Sequence, residues 1–147
     1  MKVNLPDEIY KALEKITENT EKIMTSTLEA GGKVVLGITK TNLSRAVTNS
    51  SGRSTGELVN SLGLSKVIRY PSGIYNIKVG FSEPRRHQNK GSKYEQTNAM
   101  IANILEYGKR DQPPRPFIRP TKIAAKKAAT EAMISTFDAE LSRLGVK

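Results

Sequence analysis

The stretch LEYGKRDQPPRPFIRPTKIAAKKAATEAM, residues 105–133, decides how this chain is organised. It closes one apolar run at Leu105, Glu106, Tyr107 and Gly108, passes through Pro113, Pro114, Pro116 and Pro120, and opens an Ala/Lys-rich run. Proline has no amide donor and clashes with the preceding turn, so neither a continuous helix nor a central strand is expected here. The residue before a proline is pushed out of the helical region, which predicts extended backbone at Gln112, Pro113, Arg115 and Arg119. A stiff strap over 109–120 therefore separates two helices and presents Phe117 and Ile118 as an apolar pair. Either that pair staples the strap to its own domain, or the strap also meets a neighbouring subunit.

Upstream of the strap, Met100, Ile101, Ile104 and Leu105 recur at helical spacing, with Asn98 as the expected cap and Gly108 as the stop. Residues 82–97 (SEPRRHQNKGSKYEQT) are polar, basic and unpatterned, which reads as a long loop. LSKVIRY (64–70) and IYNIKVGF (74–81) read as two strands joined at Pro71, Ser72 and Gly73. In the second, Tyr75, Ile77, Val79 and Phe81 alternate with Asn76, Lys78 and Gly80, so one face is buried. STGELVNSLG (54–63) predicts a short helix capped by Ser54 or Thr55 and terminated by Gly63.

At the start, Pro6, Asp7 and Glu8 supply good helix N-terminal chemistry. Apolar residues then recur at helical spacing from Ile9 through Leu13, Ile16 and Ile23 to about Val47. A helix of about 40 residues is about 60 Å long, while a compact domain of this size has a radius of gyration near 15 Å. The helix is expected to bend, break or project, with Gly31 and Gly32 as its weak point, because each glycine costs about 1 kcal/mol relative to alanine. After the strap, a last helix from near Pro120 to about 145 carries Ile123, Ile134, Phe137, Leu141 and Leu144 as its apolar positions. The expected class is α+β: a small, hairpin-based antiparallel sheet packed by helices, with a long N-terminal helix and an amphipathic C-terminal helix. We expect one domain over 1–147, built from a helix over 1–48, a mixed region over 54–108, the strap over 109–120 and a helix over 120–145.

The chain has 147 residues, with 24 basic and 14 acidic side chains and a net charge of +10. Residues 1–45 are nearly neutral, so the excess lies in the middle and end; such a field favours anionic partners. Counted with glycine and without tyrosine, the apolar share is roughly 41%, below the ~45–50% of ordinary globular domains. Some apolar surface is therefore expected to be covered by other subunits. Cysteine is absent, which excludes disulfides and thiolate metal sites. No secretory signal and no apolar run long enough for a bilayer stands in the sequence, which reads as a soluble protein made in a cytoplasm, away from membranes. His87 is the lone histidine, with no second ligand at metal-binding spacing, and no nucleophile elbow or phosphate loop is present. No catalytic residue, metal or cofactor is expected. Arg85, Arg86, Lys90 and Lys93 form a basic loop, a candidate contact for DNA or an acidic partner, although no DNA-binding motif accompanies it.

One ordered set remains: Thr55, Gly56, Glu57 and Leu58 with Ser61, then a basic hairpin, then Glu106, Tyr107 and Gly108, then Pro116, Phe117, Ile118, Arg119 and Pro120. This order resembles the neck or tail-completion proteins of long-tailed, siphovirus-type phages, an HK-type morphogenesis family. The resemblance implies a structural virion protein at the head–tail junction, made in the bacterial cytoplasm and assembled as a ring around the DNA channel. Its partners would be copies of itself, other neck and tail proteins, and DNA in the channel. Gly56, Leu58, Ser61, Glu106, Tyr107, Gly108, Pro114, Pro116, Phe117, Ile118, Arg119 and Pro120 would then be candidates for subunit or partner contact. On that reading, removing the Phe117 ring leaves a folded monomer that fails to complete particles. The alternative is a free, basic, non-enzymatic DNA-binding protein.

Overall fold

Asp7 and Glu8 open one α-helix, α1 (Asp7–Thr48), which runs unbroken for 42 residues and closes near Arg45. Acids at the first turn and a base at the last both oppose the helix dipole favourably. The computed structural model describes residues 6–48, 56–85 and 95–146. After α1 come α2 (Glu57–Ser61), β1 (Leu62–Leu64), β2 (Ile68–Arg69), β3 (Tyr75–Asn76), β4 (Val79–Phe81), α3 (Asn98–Tyr107) and α4 (Ile118–Arg143). This is an α+β fold. Ser54 and Thr55, the expected caps of the short helix, lie outside the described residues.

The four strands form one hairpin in two rungs. β1 pairs antiparallel with β4, Leu62 opposite Phe81, and β2 pairs antiparallel with β3, Arg69 opposite Tyr75. Between the rungs, Ser65 N donates to Lys78 O at 2.8 Å. The expected hairpin is present, but the first strand begins earlier than expected. Gly63 lies inside β1 opposite Gly80 rather than ending α2.

Gly31 and Gly32 do not break α1. Both are buried. A Cβ on Gly31 would sit 2.7 Å from Met133 Cγ, and one on Gly32 would sit 2.8 Å from Leu64 Cδ1. Adjacent helical residues point about 100° apart, so one glycine admits α4 and the other admits the hairpin. Close approach on two sides offsets the propensity cost that the sequence alone shows.

α4 runs antiparallel along α1. Asn42 Nδ2 donates to Thr121 Oγ1 at 3.0 Å near one end, Gly31 faces Met133 in the middle, and Lys15 Nζ reaches Leu144 O at 3.4 Å near the other. The buried positions of α4 are Thr121, Ala125 and Ala129, spaced by four. Small residues at that spacing let two helices pack closely. Ile123 and Ile134, expected as apolar positions, are 76% and 56% exposed and lie off that inner line. Because α4 ends beside Lys15, about two turns of α1 extend past it. There Ile9, Tyr10 and Leu13 remain exposed.

The core gathers Leu43 and Ala46 from α1, Leu58 from α2, Leu62 from β1, Ala102 and Leu105 from α3, and Phe117. Phe117 has no exposed surface and meets Phe81 edge-to-face, with ring centroids 6.3 Å apart. The strap is thus stapled to its own body, one of the two arrangements the sequence allows. With Phe117 fully buried, the expected folded monomer of Phe117→Ala would carry a stability cost as well as any assembly defect. Emptying the site should cost about 3–5 kcal/mol, read as a lower urea midpoint, and Phe117→Leu should lose much less.

Candidate functional site

The strap that the sequence singles out is organised by one carboxylate. Glu106 sits in the last turn of α3 and is buried. Its Oε2 accepts from Phe117 N at 2.7 Å and Ile118 N at 2.8 Å, and its Oε1 accepts from Arg119 N at 3.0 Å. A helix leaves its first four amides without internal partners. At the start of α4 the carboxylate takes three, and the fourth position is Pro120, which has no N–H. Thr121 N then makes the first bond of the helix, to Phe117 O at 3.3 Å. Arg119, expected to be extended before Pro120, is helical instead, because its amide is held by Glu106.

Burial by itself works to raise the pKa of Glu106. The three main-chain donors and the Lys122 ammonium together outweigh it and hold the carboxyl below its ordinary 4.5. Around this clasp, Gly108 adopts φ +79°, and a Cβ there would meet Gln112 O at 2.8 Å and Pro114 N at 2.9 Å. Only glycine lets the chain turn this tightly. Lys109 and Gln112 exchange both main-chain hydrogen bonds, at 2.9 and 3.0 Å, which reverses the chain before Pro113. Arg115 N then donates to Leu105 O at 2.7 Å, and Arg115 Nη1 donates to Ala46 O at 3.1 Å. The strap therefore ties the ends of α3, α1 and α4 together.

The remaining candidates separate by exposure. Leu58, Glu106 and Phe117 are interior, while Gly56, Ser61, Gly108 and Ile118 are half-buried. Tyr107, Pro114, Pro116, Arg119 and Pro120 are exposed and line the outer side of the strap and the start of α4. Gly56 takes φ +71° at the start of α2, and its carbonyl accepts from Asn60 N. Arg85 is turned inward: Nη1 donates to Asn98 Oδ1 at 3.1 Å, and Nε lies 3.9 Å from Glu57 Oε2. Asn98, expected as the cap of α3, is buried and also donates to Ser82 O. Thr97 is the cap, accepting from Met100 N at 3.0 Å. Arg86, His87, Lys90 and Lys93 lie outside the described residues.

Sequence reasoning missed a groove between the hairpin, α1 and the first half of α4. It encloses about 410 Å³, has the half-buried Val79 and Phe81 at its floor above the buried Leu62 and Phe117, and is lined by the exposed Lys122 and Lys126. The floor arises only from tertiary packing, which no local pattern in the sequence announces. Among the described residues, no group of three or more His, Cys, Asp or Glu could hold a metal ion, and no helix is long and apolar enough to cross a membrane.

Such features define a protein built from packing surfaces: a braced strap, an open apolar groove and a projecting helix end. A family model described as "Bacteriophage HK97-gp10, putative tail-component" matches residues 7–108, and the chain belongs to that family of phage tail components. The match covers α1 through Gly108, so the strap and α4 lie beyond it. No curated protein and no solved structure matches the chain.

Because the folded-state pKa of Glu106 lies below its unfolded value, the clasp's contribution is complete at neutral pH. It disappears as pH falls from the ordinary glutamate value through the folded one. Glu106→Gln keeps one acceptor but turns an NH₂ towards the amides, and should cost about 2–3 kcal/mol at pH 7. Urea titrations of both proteins across the acid range should show that gap closing as the wild-type carboxyl protonates.

Proposed function

We propose that this chain is a structural protein of the phage neck, acting in tail completion where the tail meets the DNA-filled head. It assembles there as a ring of copies around the DNA channel, contacts other neck and tail proteins, and performs no catalysis. One observation carries this reading beyond membership of a tail-component family: among the described residues, the long helix is left uncovered at one end. Ile9, Tyr10 and Leu13 are 47%, 63% and 51% exposed along the first turns of α1. Single exposed apolar residues are ordinary, but neighbouring ones on a projecting helix ask for a partner surface. Ile68, Tyr70 and Ile74 at the hairpin tip are also exposed, at another part of the molecule. Two separated apolar surfaces suit a subunit that has neighbours on more than one side. The net charge of +10 supports a place beside DNA, as counter-charge to the channel's contents.

The test is the terminal phenotype of the phage that encodes the chain once its gene is disrupted. This reading expects DNA-filled heads and finished tails that stay apart, and that join when purified protein is added to the lysate. Joined, infectious particles without the chain would contradict it, as would a block at head filling or tail polymerisation.

A further inference from the structure

Charge is divided unevenly over the described residues. Residues 7–22 and 131–143 make up the far end of the α1–α4 pair and hold eight acids and four bases, net −4, while the other described residues hold 14 bases and six acids, net +8. The projecting end shows Ile9, Tyr10 and Leu13 on one side of α1, and at 100° per residue Asp7 and Glu14 fall together on the flank beside Tyr10. The groove shows an apolar floor with Lys122 and Lys126 in its lining. Each surface has what the other lacks.

A molecule cannot satisfy both surfaces by itself. The groove is lined by Val35 and Thr39 of the same helix that bears Leu13. α1 is continuous between them, so Leu13 and Thr39 are held about 40 Å apart. We propose that the projecting end of α1 from one copy docks in the groove of the next, with Ile9, Tyr10 and Leu13 over the Val79–Phe81 floor and Asp7 and Glu14, on the flank beside Tyr10, facing Lys122 and Lys126. The inference rests on the reading above that copies of this chain assemble together. Because the contact joins two different surfaces, it is head-to-tail, and repetition of such a contact closes a ring when its rotation permits. Opposite charges steer the approach and fix which end enters, while the apolar residues hold it. The contact should therefore weaken as salt screens the charges.

The absence of cysteine makes the test direct. Three single-cysteine proteins are made: Leu13→Cys at the helix end, Lys126→Cys in the groove lining and Ser72→Cys at the exposed hairpin turn as control. They are purified and mixed in pairs under a mild oxidant. The proposal expects Leu13→Cys to link to Lys126→Cys at least about tenfold more than to Ser72→Cys, with little linking of either protein to itself. Adding Asp7→Lys and Glu14→Lys to the helix-end partner should remove most of that excess. Equal yields with the control, no linked dimer at high concentration, or preferential linking of Leu13→Cys to itself would overturn the docking. The neck reading is decided separately, by the phenotype of the disrupted gene, so the two can fail independently.

Discussion

The Glu106 carboxylate on the first turn of α4 is the constraint from which the rest of the arrangement follows. A side chain at the end of α3 supplies the cap that α4 cannot supply for itself, since its N-cap position is Phe117 and makes no side-chain capping bond. Three charge-assisted hydrogen bonds in a buried setting fix where α4 begins. With that start fixed, Phe117 is driven into the core against Phe81 and Thr121 is brought to Asn42. α4 can then lie only along α1, where Gly31 gives it room at Met133. The prolines serve the same end: Pro120 occupies the one early position where a missing amide costs nothing.

This arrangement separates duties along the molecule. The body, built from the end of α1, α2, the hairpin, α3 and the strap, holds the core. The far part of the α1–α4 pair has little beneath it besides the partner helix, carries eight of the chain's 14 acids, and ends in exposed apolar turns. A protein shaped this way is stable through its body and offers its arm outward. Membership of a tail-component family agrees with that division, because such components function as parts of larger assemblies.

Much of the fold was legible in local pattern. The long period of α1, the alternation at Tyr75, Ile77, Val79 and Phe81, and the stop at Gly108 each reflect a constraint within a few residues of itself. What was not legible depends on distant partners. Gly31 and Gly32 look like a weak point until Met133 and Leu64 are seen against them. Ile123 and Ile134 look like core positions, yet the inner line of α4 is made of small residues that permit a close approach. Asn98 looks like a cap, but it is drawn inward by Ser82 and Arg85, and Thr97 caps instead. Glu106 was singled out as part of a motif, while its chemistry stayed hidden because its donors lie 11 to 13 residues away across the strap. The groove had no local signature at all.

The central claim is that the clasp is an integral part of the folded body and not a surface contact that opens and closes. Hydrogen exchange at the amides of Phe117, Ile118 and Arg119 tests it most directly. At neutral pH these three should exchange only as slowly as Leu43 in the core of α1, since releasing them requires the body to open. Exchange near free-peptide rates at those amides, with Leu43 still protected, would contradict it.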